Sequence, residues 1–185
     1  MSDADGGTSR WHAGSGQRGI ADLLDPAVHA SIMAAAERIS TFRCARDARD
    51  PVNQPTINNW LEAMGLDNPR FQAGESPPTM AQAWTMYGLG GKAGPDDPLH
   101  AMMVVLTDAG FTGVLGTNSE QTYNRYLKVG EQLRVETALD SVVGPKSTGM
   151  GVGYFVTSRS TWFVGDEHVA SMLFRVLKFI PKGSA

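Results

Sequence analysis

The chain has 185 residues, enough for one domain with a sizeable core, and its 42% hydrophobic and 19% charged content exclude wholesale disorder. A formal net charge of -3, with lysine and arginine scattered singly, argues against a nucleic-acid surface. A single cysteine, Cys44, excludes an internal disulfide framework and a cysteine-based zinc site; no stretch has the apolar length of a membrane span or a signal-peptide core, so a cytoplasmic protein is expected.

Residues 1–19 are rich in Gly, Ser and Asp, and a flexible arm is expected over 1–24. Asp25 can N-cap a helix with Pro26 at its first position, and Val28, Ile32, Ala35, Ala36 and Ile39 form its apolar stripe. His29 reads as a solvent-facing side chain on this helix, and Cys44 as a small residue beside a short strand over 41–45. The prolines at 51 and 55 push their predecessors out of helical geometry, so an extended entry is expected before a helix capped by Thr56. Ile57, Trp60, Leu61 and Met64 recur at helical spacing, and Gly65 suits the left-handed position that ends the helix.

Another helix is expected from Pro77-Pro78, with Met80, Ala83, Trp84 and Tyr87 on one face. Residues 88–98 form a loop; its Gly90-Gly91-Lys92 lacks the strand and helix that frame a phosphate-binding loop. The apolar segment 99–109 reads as a helix ending at Gly110, with His100 and Asp108 at its surface. The last third is β. Leu133, Val135, Thr137, Leu139, Ser141 and Val143 alternate with polar residues, a turn is expected at Gly144-Pro145-Lys146, and Gly165-Asp166 closes a hairpin before an apolar return over 169–180. With 113–127 entering the sheet, helices followed by four antiparallel strands give an α+β layer arrangement, one domain over 25–181 and a tail over 182–185.

One stretch carries a sharper signal. Gly65-Leu66-Asp67-Asn68-Pro69-Arg70-Phe71 resembles the Gly-Asp-x-Asn-Pro-x-His turn of the MaoC-like enoyl-CoA hydratases, whose Asp and His act as an acid–base pair on water. Gly65, Asn68 and Pro69 keep the frame, but Leu66 stands at the Asp position and Phe71 at the His position, and neither carries a proton. Five further blocks are similar to the N-terminal MaoC-like half of steroid-degrading hydratases: Asp50-Pro51-Val52-Asn53-Gln54-Pro55-Thr56-Ile57, Pro77-Pro78-Thr79-Met80, Gly116-Thr117-Asn118-Ser119-Glu120-Gln121-Thr122-Tyr123, Tyr126-Leu127-Lys128-Val129-Gly130-Glu131 and Val143-Gly144-Pro145-Lys146.

The resemblance implies a hot-dog fold, an antiparallel sheet wrapped around a central helix, here with an extra N-terminal helical segment. It also implies the larger subunit of a heteromeric 2-enoyl-CoA hydratase acting on steroid side-chain thioesters. A zinc-ribbon and OB-fold domain often follows this half in relatives; no such domain is expected within this chain. The partner would be a second MaoC-like hot-dog subunit with the intact Asp and His, in a heterodimer or a dimer of heterodimers. Coenzyme A is part of the substrate, and no separate cofactor, metal, nucleic acid or membrane is implied.

No catalytic residue is assigned to this chain. Glu120 and His100 are the internal candidates if it works alone, as a hydratase or a thioesterase; a third reading is a pure acyl-CoA scaffold. The expected substrate contacts are Leu66, Phe71, Pro78, Met80, Trp84, Asn118, Tyr123, Arg125 and Lys146. Leu66 and Phe71 would add apolar area, at about 25 cal/mol per Å² buried. Met80 reads as tunnel wall and Trp84 as core. Arg125 and Lys146 would meet CoA phosphates, with ordinary surface charge as the bland alternative. The short link over 72–76 is expected to leave the acyl pocket roomy.

Overall fold

The structure is a computed structural model and describes residues 25–182. The arm expected over 1–24, and residues 183–185 of the expected tail, lie outside the described residues.

Helix α1 (Pro26–Ser40) starts as anticipated, with Asp25 Oδ1 accepting the Ala27 N–H at 2.7 Å and Pro26 placed where a missing N–H costs nothing. Strand β1 (Cys44–Asp47) begins later than the segment 41–45, because Thr41 still caps α1 through the Arg38 and Ile39 carbonyls. Helix α2 (Gln54–Met64) is capped by Asn53 rather than Thr56: Asn53 Oδ1 accepts the Thr56 N–H at 3.0 Å. It ends at Gly65, whose φ of 61° is the left-handed conformation expected there. Helix α3 (Pro69–Gln72) and strand β2 (Glu75–Ser76) follow.

The helix expected from the proline pair is much shorter than its apolar face suggests. A 3₁₀ turn (Pro78–Met80) leads into α4 (Ala81–Trp84), and the chain then leaves helical geometry. The cause is local competition. Arg46 donates to the Thr85 carbonyl through Nε at 3.1 Å and Nη2 at 2.9 Å, and the Trp162 indole donates to Thr85 Oγ1 at 2.8 Å. Tyr87 therefore lies on the following loop, with the Arg46 guanidinium 4.3 Å from its ring centre.

Helix α5 (Pro98–Asp108) is the one that packs across the sheet, against β5, β6 and β7, while α1 packs on α5 and β5. The strands are β3 (Gly113–Tyr123), β4 (Leu127–Lys128), β5 (Leu133–Ser147), β6 (Gly151–Val164) and β7 (Glu167–Pro181). Among the described residues they form an antiparallel five-stranded sheet, β1-β5-β6-β7-β3, and a separate β2-β4 pair. The turn expected at 144–146 is instead a register irregularity within β5, and the chain reverses later, where Thr148 Oγ1 accepts the N–H groups of Met150 and Gly151.

The helix-covered face of the sheet carries two cores. One gathers Ile57, Leu61, Phe71, Met80, Trp84, Val135 and Trp162 behind the 65–71 loop; the other gathers Ile32, Ile39, Met102, Leu106, Phe111 and Tyr154 beneath α1 and α5. His29 is not solvent-facing: its Nδ1 lies 3.0 Å from the hydroxyl of the fully buried Tyr154, and the rings stack at 6.0 Å. Cys44 is buried, and burial raises its thiol pKa, the bland reading of that residue.

Candidate functional site

The loop after α2 is shaped by backbone-directed side chains. Asn68 Oδ1 accepts the Arg70 N–H at 3.0 Å, Pro69 opens α3, and Asp67 accepts from the Gln72 side chain at 2.7 Å. The Gln54 amide, reaching from α2, donates to the Phe71 carbonyl at 3.0 Å. These bonds explain why the frame residues are kept: they build the turn whatever stands at 66 and 71.

The two side chains at the degenerate positions then part company. Leu66 is 46% exposed, while Phe71 is 9% exposed, lies in the first core and meets the Tyr126 ring edge-on at 6.0 Å. Asp67, the one carboxylate in the loop, is held outside by Gln72.

Beside the loop lies a depression of about 470 Å³ lined by Arg70, Pro78, Tyr123, Asn124, Arg125 and Tyr126. Arg70 places its guanidinium 4.2 Å from the Tyr126 ring centre and pairs with Glu75 at 2.6 Å. Three of the expected contacts, Pro78, Tyr123 and Arg125, therefore meet here, while Phe71 does not line the depression and touches its Tyr126 ring from the core side. Sequence reasoning missed Arg70 and Tyr126. The signal was present, since Arg70 occupies the variable position of the loop and Tyr126 begins one of the similarity blocks.

The electrostatics are closed rather than reactive. Arg125 grips Glu167 with Nε at 2.9 Å and Nη2 at 2.8 Å, and its Nη1 reaches Glu131 at 2.9 Å and the Tyr126 carbonyl at 3.0 Å. These bonds raise the arginine pKa further and draw the Glu167 carboxyl below its usual range. A guanidinium already held by two carboxylates has little left for a phosphate, so the phosphate role expected of Arg125 loses its physical basis. Burial raises the Tyr123 phenol pKa, which keeps it protonated at neutral pH, and its hydroxyl donates to Gln121.

The other expected contacts lie elsewhere. Met80, expected as tunnel wall, is fully buried in the first core, and Trp84 is core as expected, with its indole donating to Ser76 Oγ at 3.0 Å. Asn118 and Lys146 are on the outward face of the sheet: Asn118 is registered with Arg175, and Lys146 with Gly153. Glu120 is exposed on β3, and His100 is exposed in the first turn of α5.

Comparison with known proteins places this geometry. Residues 39–172 match the family model described as the FAS1-like dehydratase domain region. The chain is 51% identical over 150 residues to the 3-oxo-4,17-pregnadiene-20-carboxyl-CoA hydratase alpha subunit of Mycobacterium tuberculosis, covering 75% of this chain and 48% of that protein. It is 34% identical over 152 residues to a probable enoyl-CoA hydratase alpha subunit of Thermomonospora curvata, covering 74% and 48%. The chain thus spans about half the length of these curated relatives. A chain in the crystal structure of the ChsH1-ChsH2 complex from Mycobacterium tuberculosis superposes with a TM-score of 0.80 at 47% identity, covering 84% of this chain and 95% of that one. The fold is the hot-dog fold.

Proposed function

The chain belongs to the FAS1-like dehydratase family, and from that premise we propose that it is the acyl-CoA-binding, non-catalytic subunit of a heteromeric 2-enoyl-CoA hydratase. A second MaoC-like hot-dog chain supplies the Asp and His. The substrate class is a bulky enoyl thioester, a steroid side chain among them, as the names of the relatives suggest.

The observation that carries this reading is the loop itself. Hydration of a 2-enoyl thioester needs a base for the water attacking C3, an acid for C2, and donors for the enolate oxygen. Here the turn that presents the acid–base pair in hydratases is intact, yet one position holds an exposed leucine and the other a buried phenylalanine. The depression beside it offers aromatic and hydrocarbon surface plus arginines already paired. Such a wall can hold an acyl chain and exclude water, and it moves no proton.

One further feature fits a partner. Strand β3 runs for 11 residues at the edge of the five-stranded sheet, and most of its side chains are exposed, including Val114 and Leu115. A long uncovered edge is a template for a second sheet.

The test is hydration of enoyl-CoA, followed as loss of the enoyl thioester absorbance. The chain alone is expected to be inactive, and activity is expected once a small MaoC-like protein with the intact Asp and His is co-expressed. Turnover by the purified chain alone would overturn the reading and make Glu120 and His100 the residues to mutate.

A further inference from the structure

Among the described residues Lys178 is the only buried basic residue, at 7% exposure. Strand register explains where it goes. On β7 it lies on the helix-covered face, level with Tyr154 of β6 on one side and Val114 of the edge strand β3 on the other. Its ammonium reaches the entry of β3 and donates to the Thr112 carbonyl at 3.3 Å. An ammonium has three donors, and among the described residues no carboxylate pairs with this one. Asp108, exposed at the end of α5, makes no ion pair with it either. A charge so far out of water is ordinarily paired. The helix side of β3 is nevertheless bare. Helix α5 packs on β5, β6 and β7, and Val114 stays 63% exposed although it faces the same side as the buried lysine.

Farther along that side the polar groups satisfy one another. Ser119, Gln121 and Tyr123 follow Val114 and Gly116, opposite Phe174, Met172 and Ala170 of the first core. Tyr123 donates to Gln121, and Gln121 Nε2 donates to Ser119 Oγ at 3.0 Å. None of these residues is acidic. The one acid of the strand, Glu120, is registered with Leu173 and points to the outward face. The edge of a second copy would therefore bring no carboxylate to the side on which Lys178 lies. It would cover the ammonium and leave it uncompensated, which is strongly destabilising.

We propose that Lys178 selects the partner of this edge. The strand that adds to β3 belongs to a different chain and carries an Asp or Glu on its helix side, which meets the ammonium beside Thr112. The inference rests on the reading that a second hot-dog chain completes the sheet, and it adds why that chain is not a second copy of this one. One buried charge attracts the first and rejects the second.

The experiment titrates the full chain with the small MaoC-like protein that carries the intact Asp and His, and follows self-association by sedimentation of the chain alone. Lys178→Met keeps the length of the side chain and removes its charge. It is expected to lose at least about tenfold in affinity for the partner while its denaturant midpoint holds. It is also expected to self-associate at concentrations where the wild type is monomeric. Lys92→Gln, which removes an exposed charge from the 88–98 loop, is expected to change neither. Replacing the acids of the partner's edge strand one at a time should find one whose loss weakens binding to the wild type and is silent with Lys178→Met. Unchanged partner affinity in Lys178→Met, affinity lost only together with the midpoint, or a stable wild-type homodimer would overturn the inference. Lys178-dependent association without hydration would keep the selection and remove the reaction. Hydration by a mixture indifferent to Lys178 would do the opposite.

Discussion

Both cores lie on the same face of one sheet, but they are built by different means. Beneath α1 and α5 the packing is mostly hydrocarbon on hydrocarbon, Ile32, Ile39, Met102, Leu106 and Val156, with polar contacts at its margin, His29 to the Tyr154 hydroxyl and the buried Lys178 ammonium to the Thr112 carbonyl at 3.3 Å. Behind the 65–71 loop, two indoles are each committed to a buried hydroxyl, Trp84 to Ser76 and Trp162 to Thr85, and a guanidinium grips the Thr85 carbonyl. Apolar packing tolerates small adjustments, whereas hydrogen-bonded tryptophans fix position and leave a costly orphan if one partner goes. The polar core is the one beneath the candidate acyl site. Its bonds stop α4 at one turn and hold the pocket wall in place.

The sharpest way to test this contrast is to damage the hydrocarbon core. Leu106 is fully buried, so Leu106→Ala should cost about 3 kcal/mol, the loss of transfer energy plus an unfilled cavity. Denaturant midpoints would read it. Hydration by the partner-supplemented protein should survive wherever the chain stays folded, because this core does not touch the loop. A cost below about 1 kcal/mol would mean that the second core is loosely packed.

The next largest effect is expected from restoring the missing pair. In Leu66→Asp/Phe71→His the stability cost comes from position 71, where an imidazole replaces a buried ring: about 2 kcal/mol. No hydration by the chain alone should appear. The ring at 71 points into the core beside Tyr126 while Leu66 is exposed, and nothing nearby orients an Asp and a His toward one water. Efficient hydration by that variant would break the argument that the loop is inert by geometry as well as by composition.

A smaller, more selective effect concerns the indole bond. Trp162→Phe takes the indole donor from the buried Thr85 Oγ1, which keeps only its own 3.3 Å bond to the Gln82 carbonyl, and should cost about 1 kcal/mol. Adding Thr85→Val should recover part of it, since removing both partners removes the acceptor left without its indole donor. Full additivity of the two changes would show that the hydroxyl and the indole do not act as a pair.

How much of this was legible beforehand follows the same division. The hydrocarbon core announced itself by periodicity: Ile32, Ala36 and Ile39 are the apolar stripe of α1, and Asp25 and Pro26 mark its start. The strands were legible from alternation and the Gly165-Asp166 turn. The polar core was not, because a helical face at Met80, Ala83, Trp84 and Tyr87 looks continuous until Arg46, distant in sequence, takes the Thr85 carbonyl. Pro145 reads as a turn for a similar reason: only the pairing of β5 with β6 shows that the strand runs through it. At the site, the loop frame was legible residue by residue. The fate of its charges was not, since the carboxylates that occupy Arg125 come from Glu131 and Glu167 on other segments.

The smallest expected effect tests that last pairing. Arg125 lowers the carboxyl pKa of Glu167 in the folded chain, against about 4.3 for a free glutamate. A group with a depressed folded value adds stability above its unfolded pKa and loses it as pH falls through the folded value. The difference in denaturant midpoint between wild type and Glu167→Gln should therefore be constant near neutrality and narrow as pH falls below the free-glutamate value of about 4.3. The glutamate side chain is 58% exposed, so solvent screens the pair and the gap should be slight. A gap that does not narrow as pH falls below the range of a free glutamate would mean that Glu167 acts through packing. Arg125 would then owe its fixed position to Glu131 and the Tyr126 carbonyl, and its Nε and Nη2 donors would be open at the pocket rim.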